Sequence, residues 1–230
     1  MALTDDVRTA LAAVVDPEIR RPITDLGMVR SVEVDDGVAT VGIDLTVPSC
    51  PMKDTLTKDV QAAVAAVDGV RKVVVDLGAM SDEQRAELRN QLRGSTGEPV
   101  IPFAQPGSTT QVVAVASGKG GVGKSSVTAN LAVALAARGL AVGVVDADIH
   151  GFSIPRMLGA TQLPTKVDDM LLPPVVHGVK VVSIGMFVPP GQPVAWRGPI
   201  VHRALQQFLA DVFWGDLDVL LLDLPPGTGD

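Results

Sequence analysis

A single cysteine, Cys50, occurs in the chain, so no internal disulfide framework can staple it. Basic residues are outnumbered. Nineteen Lys and Arg stand against 26 Asp and Glu, for a net charge of −7 and a pI near 4.9. A general nucleic-acid or anionic-membrane surface needs clustered Lys and Arg, so neither is expected as a partner. No uninterrupted apolar run approaches the length of a membrane span. The opening stretch, MALTDDVRTALAAVVDPE, carries acids where a secretory signal has a basic region and a long apolar run. These absences together point to the cytosol. Histidine is scarce too: His150, His177 and His202 are too scattered for a metal site and read as structural or surface residues.

What is present is globular in character, with 47% hydrophobic and 20% charged residues over 230 positions, enough for two domains. Residues 4–15 have a helical pattern that Pro17 ends. Val32 and Val34 alternate with acids, Asp36-Gly37 signals a turn, and Val41, Ile43, Leu45 and Val47 alternate again, as in a β-hairpin. A helix with Met52, Leu56, Val60, Ala63, Val64 and Val67 on one face follows, then a strand at 70–77 and a polar helix at 82–92. The order α-β-β-α-β-α predicts a small α+β domain over 1–93. Residues 94–109, rich in Gly, Pro, Ser and Thr, read as a partly extended linker. From 110 to 230 the pattern is α/β. A strand at 112–116, expected to be buried, precedes a helix expected to bury Val127, Leu131, Ala134 and Leu135. Strands at 140–145, 179–184 and 217–222 and a helix from Val201 to Phe213 complete a mostly parallel sheet. Ligands of such a sheet bind at the carboxyl ends of its strands.

The stretch VVAVASGKGGVGKSS organises the second domain. Gly118, Gly123, Lys124 and Ser125 fit G-x-x-x-x-G-K-[ST], between an apolar run and a helical pattern. Backbone N–H groups from Gly118 to Ser126, with Gly120, Gly121 and Val122 between, would cradle phosphates at a helix N-terminus. Lys124 would reach the β- and γ-phosphates of ATP, and the Ser125 hydroxyl would hold Mg²⁺. Two carboxylates, Asp146 and Asp148 in VVDADIHG, follow the next strand. Asp148 is the candidate for orienting the attacking water; Asp146 either joins the magnesium shell or caps the next turn. Asp223, in LLLDLPPGTGD, has the place of the Walker B aspartate on Mg²⁺, and Gly227 could offer its N–H to the γ-phosphate. Cys50 lies just before a helix start, where the dipole would favour a thiolate suited to metal or transient transfer; a small buried hydrophobe is the other reading.

Lys119 directly follows the first glycine, giving GKGGVGKS, which resembles the deviant loop of the MinD, ParA, ArsA and nitrogenase-reductase class. In that class this lysine reaches the nucleotide of a partner subunit, so the resemblance implies a homodimer; a solvated loop lysine is the alternative. DADIHGFSIPRMLG, RGPIVHRALQQFL and DLDVLLLDLPPGTGD each resemble segments of the Mrp-type ATPases, cytosolic iron–sulfur cluster carriers. The resemblance covers about residues 110 to 230, with Phe152 standing where that family usually has proline. DPEI at Asp16, ITDLGMV at Ile23 and the SCP at Cys50 resemble the iron–sulfur-assembly domain often fused ahead of these ATPases.

The resemblance implies an ATPase that loads and transfers iron–sulfur clusters to apoproteins, working with iron–sulfur assembly proteins. It also implies a chain that continues past Asp230 to a C-x-x-C pair bridging a cluster across the dimer, and to the residues that recognise adenine. A partitioning or positioning ATPase of the ParA or MinD kind, and a nucleotide-switched scaffold without catalytic purpose, are the competing readings.

Overall fold

A computed structural model of the chain describes residues 2–48, 50–93, 101–148, 151–188 and 198–227. The chain divides into two compact units, Met1–Thr96 with Lys166–Asp168, and Gly97–Thr165 with Asp169–Asp230. Of the linker expected at 94–109, residues 94–100 and their expected extended form lie outside the described residues. Its described part includes a 3₁₀ turn at Pro102–Ala104.

The first unit runs α1 (Ala2–Leu11), β1 (Val29–Asp35), β2 (Val38–Leu45), α2 (Lys53–Ala65), β3 (Lys72–Ala79) and α3 (Asp82–Arg93). Asp36 and Gly37 both take positive φ, 42° and 74°, the two-residue turn whose twist suits an antiparallel hairpin. β2 lies between β1, antiparallel to it, and β3, parallel to it. α2 buries Leu56, Val60 and Val64, spaced four apart on one face; Met52, Ala63 and Val67 are half-buried at its margin. α1 stops at Leu11, short of the expected residue 15. Val15 turns away to bridge Pro22, and a proline at 17 disfavours helix at the residue before it.

The rest of the chain runs β4 (Gln111–Ser117), α4 (Lys124–Ala136), β5 (Val142–Asp146), α5 (Ile154–Leu158), β6 (Thr165–Val167), β7 (Met170–Leu172), β8 (Val175–Val176), β9 (Val179–Ser183), α6 (Gly198–Ala210) and β10 (Val219–Pro226), all in the second unit except Lys166 and Val167 of β6. Its main sheet has the order β4-β10-β5-β9-β8, parallel except for β8. Alternation along the strands splits the core into two layers. Val142, Val144, Val179, Val181 and Leu221 pack with Ala129 and Ala132 of α4. Val145, Val182 and Leu220 pack with Ala204, Phe208 and Trp214 on the α6 side.

Two expectations are corrected here. β4 is exposed along much of its length, with Val112 at 46%, because among the described residues it is hydrogen-bonded only to β10 and lies at the edge of the sheet. α4 turns Thr128, Ala129 and Ala132 inward, not Val127, Leu131 and Ala134, which are exposed. Apolar residues occur all around this helix, so its periodicity selects no face; small residues let it approach the sheet closely. Helix α5 and strands β6 to β8 are too short to leave a periodic signal.

Candidate functional site

The site forms where β4, β5 and β10 end. Asp146 and Asp223 are register partners on adjacent parallel strands, and both are fully buried. Alternation puts them on the α4 side of the sheet, with Val144 and Leu221 two residues earlier. The loop from Gly118 to Gly123 links β4 to α4 above them. Gly121 and Gly123 adopt φ of 76° and 92°, which residues with a Cβ rarely take. A Cβ built at Gly118, Gly120, Gly121 or Gly123 would meet nothing within 4 Å, so the glycines line open space. Gly120, Gly121, Gly123, Lys124, Ser125 and Ser126 share a cavity of about 360 Å³ with Asp148. Lys119, Val122 and Gly118 are exposed on the same loop.

Asp223 is the hub beneath this cradle. Lys124 Nζ donates to its Oδ2 at 2.7 Å, and the Ser125 hydroxyl to the same oxygen at 2.6 Å. The Thr128 hydroxyl donates to Oδ1 at 2.7 Å. Lys124 also lies 3.9 Å from Asp148 Oδ2, so one ammonium is shared by two carboxylates. Thr128 was not anticipated from sequence. The available signal was a hydroxyl three residues after Ser125 on the same helix, one turn further along and on the same face.

The carboxylate of Asp146 accepts N–H donors from Asp148, Ser153 and Ile154 and the Ser183 hydroxyl, at 2.9 to 3.3 Å. Burial pushes its pKa up to about 6, against the lowering effect of the Ile154 and Ser153 N–H groups; the neighbouring Asp223 charge raises it further. Asp148 Oδ1 accepts the Gly151 N–H at 3.0 Å. Gly227 donates its N–H to the Ser117 carbonyl at 2.9 Å, with φ of 85°.

The donor set fits a magnesium nucleotide. Mg²⁺ takes hard oxygen ligands and keeps several waters, which suits the Ser125 hydroxyl in the cavity lining with the buried Asp223 carboxylate hydrogen-bonded to it. The glycine loop offers unobstructed backbone at the start of α4, where N–H groups and the helix dipole favour anions.

Cys50 belongs to the first unit and is buried, with Sγ 3.8 Å from Glu18 Oε2. Burial pushes its thiol up to about 11; a hydrogen bond to the Met52 backbone opposes this, and the Glu18 and Asp16 charges add to it. The expected helix-dipole activation is therefore outweighed by desolvation and two nearby acids. Asp16 Oδ1 accepts the N–H groups of Glu18 and Ile19, which fixes the DPEI turn beside the thiol. Among the described residues no group of three or more His, Cys, Asp and Glu is arranged to hold a metal ion. No described helix is long and apolar enough to cross a membrane.

Comparison with known proteins assigns both units. Residues 108–230 match the ParA family model described as NUBPL iron-transfer P-loop NTPase. Residues 4–77 match the model described as iron-sulfur cluster assembly protein. The iron-sulfur cluster carrier protein of Mycobacterium bovis is 66% identical over 97% of this chain and 59% of its own length. That of Deinococcus radiodurans is 44% identical over 99% of this chain and 61% of its own. Among solved structures, a nucleotide-binding protein from Archaeoglobus fulgidus in complex with ADP is 38% identical, covering 65% of this chain and 51% of that one at a TM-score of 0.46. The chain thus spans about three fifths of the length of these curated relatives.

Proposed function

Because this chain belongs to the iron–sulfur carrier P-loop NTPases of the Mrp and NUBPL type, with an iron–sulfur-assembly domain ahead of the NTPase, we propose that the protein binds and hydrolyses ATP in order to load iron–sulfur clusters and hand them to apoproteins. One observation carries the nucleotide part. A buried aspartate, Asp223, gathers Lys124, Ser125 and Thr128 directly beneath an open glycine cradle.

A phosphate entering the cradle competes with Asp223 for Lys124, whose flexible stem lets it exchange a carboxylate for the β- and γ-oxygens. Magnesium, held by the Ser125 hydroxyl and the Asp223 carboxylate, would neutralise phosphate charge as it does in other NTPases of this loop type. Thr128 keeps Asp223 oriented from the side away from the cavity. Asp148 orients the water that adds to the γ-phosphorus as the bond to the leaving ADP oxygen breaks. Lys119, exposed at the loop, serves a partner subunit across a homodimer. The cluster is cargo. Clusters as a rule take four cysteine ligands, and this chain has one thiol, so the carrier site needs thiolates from outside these 230 residues.

Isothermal titration of the complete protein with ATP tests the assignment of the cradle. Lys124→Ala is expected to weaken binding by about 10- to 100-fold, the equivalent of a charge-assisted hydrogen bond worth ~1.5–3 kcal/mol. Unchanged affinity in a folded variant would remove Lys124 from the phosphate site. Asp148→Asn is expected to leave ATP affinity nearly intact while lowering phosphate release to a small residual rate.

A further inference from the structure

A polar row crosses the otherwise apolar sheet. Asp223 on β10, Asp146 on β5 and Ser183 on β9 are register partners in sequence, and all three are fully buried. Asp146 is the middle member. Its Oδ2 accepts the Ser153 N–H at 2.9 Å, the Ile154 N–H at 3.1 Å and the Ser183 hydroxyl at 3.2 Å. Its Oδ1 accepts the Asp148 N–H at 3.3 Å. Three protein donors therefore crowd Oδ2, which has about two lone-pair positions, and one donor lies on Oδ1. These donors come from both ends of one loop, Asp148 at its start and Ser153–Ile154 at its finish. The same Ser183 oxygen accepts the Gly185 N–H at 3.2 Å. The Phe152 ring lies so close over Gly185 that a Cβ there would collide with it. The described ends of the loop, Asp148 and Ser153–Ile154, are therefore both held by one carboxylate, and Phe152 packs on Gly185.

We infer that Asp146 is a positioning residue, acting on the reaction through Asp148 by clamping both ends of the loop that carries it, and that it is not a member of the magnesium shell. The consequence for turnover rests on the ATPase reading above; the clamp itself does not. An amide in place of the carboxylate turns an NH₂ group toward the Ser153 and Ile154 donors, or toward that of Asp148, so one end of the loop is released. Ser183→Ala removes one of the four donors and frees the Gly185 turn, a milder form of the same change.

The test uses the complete protein and five forms: wild type, Asp146→Asn, Ser183→Ala, Asp148→Asn and the Asp146→Asn/Asp148→Asn double variant. Hydrogen exchange at Gly151, Ser153 and Ile154 is expected to accelerate in Asp146→Asn and, less, in Ser183→Ala. Exchange unchanged in both would overturn the clamp, whatever the ATPase assays show. For hydrolysis, Asp146→Asn is expected to lower kcat by about 10- to 100-fold, the scale of an ångström-level misplacement, with little change in the KM for ATP. The double variant should be no slower than Asp148→Asn alone, since both changes disable one group. Independent, multiplying losses would contradict action through Asp148. The Mg²⁺ concentration for half-maximal binding of ATP should be the same in Asp146→Asn as in wild type. A rise of about tenfold or more, as loss of a metal-shell group produces, would return Asp146 to the magnesium shell. Should Asp146→Asn fail to fold, Ser183→Ala carries the exchange and kcat comparisons, and Ser183→Ala/Asp148→Asn replaces the double variant. If Asp148→Asn hydrolyses ATP like wild type, the role given to Asp148 fails, while the exchange data still decide the clamp.

Discussion

Cys50 shows how surroundings set the chemistry of one side chain. Its thiol is buried beside Glu18, and its pKa stands at about 11 against an ordinary value of 9.0. The nucleophile is the thiolate, so the folded protein should react slowly with iodoacetamide at pH 8 and rapidly once denatured, as a mass-spectrometric time course would show. The shift also links to stability. A group whose proton is held more tightly in the folded state contributes fully below its unfolded pKa, and that contribution is lost as pH rises through the folded one. Between about pH 9 and 11 the wild type should lose stability that Cys50→Ser, with no ionisable thiol, does not lose. Urea midpoints of the two proteins at pH 7.5 and 10.5 would show it; parallel losses would mean that the thiol ionises equally well in the folded chain.

At the scale of elements, close approach explains what periodicity could not. α4 meets the sheet through Thr128, Ala129 and Ala132, and so Val127 and Leu131 face out although they are more apolar. β5 uses a glycine in the same way on its other face. A Cβ at Gly143 would come 2.7 Å from Leu217 Cδ1 and 2.9 Å from the Trp214 ring. That indole is itself fixed, its Nε1–H donating to the Phe208 carbonyl at 2.9 Å. The Leu217 methyl can swing aside, but the indole cannot move without straining its hydrogen bond to α6. Gly143→Ala should therefore cost about 1–3 kcal/mol, the usual penalty for overpacking a filled core, read as a lower denaturation midpoint. An unchanged midpoint would mean that Trp214 has room to move.

At the scale of the whole molecule, the proposed homodimer makes a prediction no single chain can test. Lys119 is exposed at the loop, while Lys124 already serves its own cavity. If Lys119 neutralises charge on a neighbour's transferring phosphoryl group, Lys119→Ala and Asp148→Asn of the complete protein should each be nearly inactive. Mixed dimers should nevertheless regain one working site, with Lys119 from one subunit and Asp148 from the other. A phosphate-release assay on the exchanged mixture is the measurement. A mixture as inactive as its components, with exchange demonstrated by mass, would end the idea that Lys119 acts in trans.

The sequence by itself determined the element order of the first unit, the mostly parallel sheet of the second and the family. Each rests on signals local in the chain: hairpin alternation around Asp36-Gly37, apolar runs before Asp146 and Asp223, and glycines whose positive φ the loop requires. Only the tertiary structure decided which strand is the edge, which face of α4 is buried and which groups share a carboxylate. Thr128 and Asp223 are 95 positions apart, and Ser183 lies 37 from Asp146. Their meeting depends on strand order and register, which pair residues remote in sequence and leave no local periodicity to read. The same holds for Cys50. A helix start beside it is visible in the chain, but the burial that raises its pKa is set by the fold, and the Glu18 carboxylate that adds to it lies 32 residues away.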